Sequence, residues 1–177
     1  MKKLTALLLA LLLVCSLTLA NADTIGPLVM HDDHVFVYGI PGNWDEVIAE
    51  YVYSQTDTMT DWVYALSSDG TATNMFQVEE VAQTMTEAEA KAGIEGVYNE
   101  IVGPNRYNVA DSAVYEDSTN NGVNLRMYSF EFQNMLLTGV IATAPCGALS
   151  ILYINTAISA EEAYSNMVDV LMSISVK

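Results

Sequence analysis

Residues 86–104, Thr86-Glu87-Ala88-Glu89-Ala90-Lys91-Ala92-Gly93-Ile94-Glu95-Gly96-Val97-Tyr98-Asn99-Glu100-Ile101-Val102-Gly103-Pro104, decide the fold. Thr86 and Glu89 form a capping box, in which the threonine hydroxyl accepts from a free N–H of the first turn and the glutamate reaches back to the cap. Ala90, Ile94, Val97, Tyr98 and Ile101 then recur at helical spacing, and Gly103-Pro104 stops the element. A helix with one apolar stripe must bury it against another layer. What flanks this helix therefore sets the architecture.

The flanks read mainly as strands. Upstream, Val35 to Ile40 is rich in β-branched and aromatic residues and runs into the Pro41-Gly42 turn. Asn43 is a fair N-cap with Glu46 three residues on, and Trp44, Val47, Ile48, Tyr51 and Val52 fall at helical spacing, which predicts a short helix, although Val47 to Tyr53 also suits a strand. Trp62 to Leu66 and Asn74 to Val81 flank Ser67-Ser68-Asp69-Gly70 and predict a hairpin. Downstream, strands are predicted at Tyr107 to Glu116, Val123 to Gln133, Leu136 to Thr143 and Leu149 to Asn155. The turns between them are Asp117 to Gly122 and Ala144-Pro145-Cys146-Gly147. A second capping box, Ser159-Ala160-Glu161-Glu162, opens a last helix whose stripe is Ala163, Met167, Val170, Leu171 and Ile174. Strands, helix, strands, helix give an α+β fold with a largely antiparallel sheet packed against helices.

The start of the chain fixes the expected compartment. Lys2 and Lys3 precede an apolar run from Leu4 to Leu19, and Ala20-Asn21-Ala22 has the small-x-small pattern of a cleavage site. Residues 1–22 are read as a cleaved signal peptide and 23–177 as one exported domain. The apolar run is short for a membrane span, which needs about 20 residues, so no stable membrane insertion is expected after cleavage. A lipid anchor through Cys15 is the alternative, disfavoured by the bulky Val14 before it. Cys146 is then the one cysteine left, which excludes an internal disulfide. Before Gly147 in an apolar stretch, it reads as a small core filler.

Charge narrows the partners. The chain has 22 acidic and 6 basic residues and a net charge of −16. Loss of Lys2 and Lys3 leaves Lys91, Arg106, Arg126 and Lys177 as its cations. Nucleic acid and anionic lipid bind chiefly through Lys and Arg, so neither is expected.

The order of elements, together with Ile40-Pro41-Gly42-Asn43-Trp44 after the opening strand and the hydrophobic tail Val170 to Val176, resembles the PsbP-like α/β/α sandwich. That group includes an extrinsic protein of photosystem II, a Ran-binding import factor and many secreted bacterial proteins of unassigned role. The resemblance implies a binding or assembly protein without a catalytic motif. It transfers no partner.

Candidate chemistry is sparse. His31-Asp32-Asp33-His34 offers donors for zinc or another divalent cation, with His31, Asp33 and His34 as the ligand set, though an extended lead-in would point neighbours to opposite sides. Asp117-Ser118-Thr119-Asn120-Asn121-Gly122 partly matches a calcium loop, but its twelfth place is Tyr128 rather than glutamate, so a hairpin turn is the simpler reading. No nucleophile elbow, zinc-protease pair or phosphate loop occurs, and no residue is assigned a catalytic role. Glu79-Glu80 and Glu161-Glu162 are commonplace in so acidic a chain. All ten tyrosines follow the leader, and those on strands suit either a sheet or a groove for peptide or sugar. The leading expectation is a secreted, non-catalytic binding or assembly module for a protein, peptide or glycan, with Trp44, Tyr51 and Tyr53 as anchors. The alternatives are a small-ligand or divalent-cation binder and a hydrolase whose site is dispersed in sequence.

Overall fold

The computed structural model describes residues 28–32, 35–41, 45–48, 58–67, 72–104, 106–109, 111–155 and 160–177. In chain order the elements are β1 (Leu28–His31), β2 (Phe36–Pro41), β3 (Asp45–Ile48), β4 (Thr58–Ser67), β5 (Ala72–Ala82), α1 (Glu87–Val102), β6 (Val114–Asn120), β7 (Val123–Phe132), β8 (Met135–Ala144), β9 (Gly147–Asn155), α2 (Ala160–Ser173) and β10 (Ser175–Val176). They make a seven-stranded sheet of order β3-β4-β5-β9-β8-β7-β6 and a three-stranded sheet of order β1-β2-β10. Every pair in both is antiparallel. The α+β class read from the sequence holds.

Strand alternation builds two cores, one on each face of the large sheet. On one face Phe76, Val78, Leu125, Val140, Leu149 and Ile151 pack against α2 and β2, through Ala163, Met167, Val170, Ile174, Phe36, Tyr38 and Ile40. On the other, Tyr128, Phe130, Leu137, Ile141 and Leu152 pack against Ile94, Tyr98 and Ile101 of α1. The capping box of α1 is formed as predicted: Thr86 Oγ1 accepts from the Glu89 amide at 3.2 Å, and the Glu89 carboxylate accepts from the Thr86 amide at 2.8 Å.

Two hairpin turns follow from backbone chemistry. Asn121 and Gly122 have φ of 50° and 79°, and Gln133 and Asn134 have 51° and 64°. Positive φ at both central residues gives the twist a two-residue hairpin needs, which glycine and asparagine tolerate best.

Several expectations are corrected. Residues 45–48 form a strand paired with β4, with Asp45 opposite Ala65, and not a helix; the backbone partner on β4 outweighs the helical spacing. The strand expected at Tyr107 begins only at Val114, because Gly103 turns the chain back and its carbonyl accepts from the amides of Arg106, Tyr107 and Asn108. The turn after it is Asn121-Gly122 alone, so residues 117–120 are strand. Residues 28–31 pair with β2, so His31, read as part of a lead-in, lies on a strand. Leu171 lies at the margin of the core, while Val170 is buried. The tail beyond α2 forms β10, with Val176 opposite Phe36. The second capping box, expected at residues 159–162, rests on Ser159, which lies outside the described residues.

Candidate functional site

The β6–β7 hairpin and the flank of α1 enclose a groove of about 440 Å³, lined by Lys91, Ile94, Glu95, Asp117, Ser118, Thr119, Asn124, Leu125 and Arg126. Its geometry follows from register. Tyr115 sits opposite Tyr128, Asp117 opposite Arg126 and Thr119 opposite Asn124, so these side chains share the face on which α1 lies. On α1, Lys91 and Glu95 are one turn apart and border the same space.

Arg126 organises the groove. Its side chain is 4 % exposed, against 52 % for Asp117 and 56 % for Glu95. Burying a guanidinium is unfavourable unless its donors are met. Here Nε and Nη2 donate to the two Asp117 oxygens at 2.6 and 2.8 Å, and Nη1 donates to Glu95 at 2.8 Å. The planar group also lies 3.9 Å from the ring centre of Tyr115 and 4.8 Å from that of Tyr98. Hydrogen bonds from Arg126 hold the carboxyls of Asp117 and Glu95 below the usual carboxylate range, and these contacts hold Arg126 firmly in its charged form. Burial raises the Tyr98 phenol.

This arrangement can bind better than it can transfer protons. A general acid or base works best with a pKa near the working pH, and both carboxylates are pushed away from neutrality. They keep lone pairs open to solvent, so the groove offers acceptors to a ligand rich in donors. Lys91 stands exposed at its rim.

A second hollow of about 10 Å³ lies between β5, β7, β9 and α1, beside the ion pair of Arg106 and Glu79. It is the size of one water. The buried Tyr128 hydroxyl points toward Ser150, which tempers the upward push of burial on the phenol, yet their geometry falls short of a full hydrogen bond.

The residues singled out from the sequence fare unevenly. Trp44, Tyr51 and Tyr53 lie outside the described residues, as do Asp33 and His34. His31 is half-buried on β1, its ring 5.6 Å from that of Tyr38 and nearly parallel to it. Among the described residues no group of three or more metal-ligating side chains gathers. Glu79 and Glu80 point to opposite faces: Glu79 pairs with Arg106, while Glu80 is buried and accepts from the amides of Val35 and Phe36 at 2.9 and 2.8 Å. Asp117, weighed as a calcium donor, is instead committed to Arg126. Cys146 is half-buried in the β8–β9 turn against the core, and burial raises its thiol. No helix among the described residues is long and apolar enough to cross a membrane.

No protein-family model matches the chain, and no curated protein matches it.

Proposed function

We propose that this chain is an exported, non-catalytic binding module of the PsbP-like kind, and that it holds its ligand in the groove between α1 and the β6–β7 hairpin. The single observation that carries the reading is the Arg126 cluster. A nearly buried guanidinium, met by two carboxylates and two tyrosine rings, makes a wall that is fixed before a ligand arrives, and pre-organisation lowers the cost of binding. Helices on opposite faces of an antiparallel sheet support the PsbP-like reading. The apolar leader supports export.

A small ligand is the second reading, because about 440 Å³ falls within the size class of small-molecule clefts. Both readings are tested by filling the groove. Thr119 faces it from an exposed strand, so Thr119→Trp should abolish binding of any groove ligand found on glycan and peptide arrays while the melting temperature holds. Saturable turnover of a hydrolase substrate, or ligands indifferent to Thr119→Trp, would refute the proposal. N-terminal sequencing of exported protein should begin at Asp23.

A further inference from the structure

Strand β6 is the outer border of the large sheet. Among the described residues only β7 hydrogen-bonds to it, and six of its seven residues are exposed, Val114 at 66 % and Tyr115 at 53 %. An unpaired edge of this kind is a template for another strand, and proteins usually blunt it with lysine, proline or a bulge. β6 has none of these: Val114–Asn120 contains neither lysine nor proline and pairs with β7 without a register shift. Its one guard is acidic, Glu116 and Asp117. Acid repels another acidic chain and attracts a basic one.

We infer that β6 takes an extended, lysine- or arginine-bearing peptide as an eighth strand of the sheet. The inference rests on the groove reading and names its ligand class. Peptide backbone would meet the outward N–H and C=O groups of residues 114–120, which supplies affinity without regard to sequence. Strand alternation puts Tyr115, Asp117 and Thr119 on the groove face and Val114, Glu116 and Ser118 on the other, so basic side chains on either side of the added strand find a carboxylate. Around Arg126 the carboxylates of Asp117 and Glu95 are matched by the guanidinium and by Lys91 at the groove rim, so the net negative charge of the edge is that of Glu116. The open face of the Tyr115 ring adds a cation–π contact. A second copy of the chain fits this edge poorly, since like charges on paired strands are unfavourable and each copy carries a net charge of −16.

The test uses the whole exported chain and three capped peptides of about ten residues, long enough to span one strand: one alternating lysine with valine and threonine, its glutamate counterpart, and the lysine peptide N-methylated at alternate positions. Saturable binding of the lysine peptide is expected by fluorescence anisotropy, with at least roughly tenfold weaker binding of the other two. Slowed amide exchange should be confined to residues 114–120 and their β7 partners. Glu116→Lys, an exposed change, should cost the lysine peptide about tenfold in affinity at unchanged melting temperature. Failure of the lysine peptide to bind overturns the inference, and so does binding that survives N-methylation, which marks charge attraction alone. A dimer in the absence of peptide, dispersed by Thr119→Pro, whose lost N–H points away from β7, also overturns it and assigns the edge to a second copy. If a ligand blocked by Thr119→Trp is found while the lysine peptide fails, the groove stands and the edge proposal falls. If the lysine peptide protects residues 114–120 while every array ligand ignores Thr119→Trp, the edge stands and the groove falls.

Discussion

Gly139→Ala should be among the most damaging single-methyl changes in this protein. Gly139 lies in the middle of β8, opposite Tyr128 on β7, and a Cβ built on it would sit 2.3 Å from both Cζ and Oη of that tyrosine. Ordinary carbon contacts are about 3.5 to 4.0 Å, so the ring would have to move by more than 1 Å. It has little room to do so, being nearly fully buried, stacked on Phe130 at 6.0 Å and met edge-on by Tyr98 at 5.9 Å. Overpacking of this sort costs about 1 to 3 kcal/mol, and the rigid surroundings place it toward the upper end. For a chain of this size that is a fall in Tm of roughly 4 to 10 °C. Denaturant melts of Gly139→Ala, Tyr128→Ala and the double variant would measure the coupling. The double variant should be less damaged than the two single costs added together, by at least about 1 kcal/mol, because the new methyl enters space the ring has left. A Gly139→Ala cost below about 0.5 kcal/mol, or strict additivity, would refute the packing argument.

Met167 is fully buried on α2, so Met167→Ala should cost about 2 to 5 kcal/mol in the same assay, and Leu171→Ala clearly less because Leu171 keeps solvent on one side. The Asp117 carboxyl is depressed through its hydrogen bond from Arg126, so its contribution to stability is present above the unfolded aspartate value of about 3.9 and is lost as pH falls through the folded value. Melting curves from pH 5 down to 2 should therefore show a shallower acid-side decline in Arg126→Met than in the parent. An equal slope in the two would dissociate Asp117 from Arg126. Burial, aided by the charge of Glu80, raises the Cys146 thiol, so alkylation at neutral pH should be slower in the folded protein than after unfolding, and an accelerated rate would expose an activated thiolate.

The parts of the fold legible from the sequence are those where local chemistry and tertiary need agree. The capped α1 and the Val123–Phe132 and Met135–Ala144 strands carry patterns strong enough to stand alone. Residues 45–48 do not: their helical spacing lost to a backbone partner on β4 that no local pattern reveals. Tyr107 to Ala113 has strand-like composition but is turned back at Gly103. The groove was half legible. A hairpin turning at Asn121-Gly122 necessarily sets residue 117 opposite residue 126, and Arg126 is one of few cations beyond residue 22, so the Asp117–Arg126 pair could have been found once the turn was cut from six residues to two. Glu95 and Tyr98 could not, because nothing local says which edge of the sheet α1 overhangs.

The clasp around β2 bears on the order in which this chain can fold. Residues 36–41 lie between β1 and β10, the Gly39 amide donates to Ser173 across 134 positions, and the Lys177 amide donates to the Val35 carbonyl. A chain made or threaded from its N-terminal side must therefore leave one edge of β2 unpaired until residues 173–177 arrive. Closure thus waits on a segment 134 positions further along the chain, and removal of residues 174–177 would leave β1 as the one strand beside β2 among the described residues.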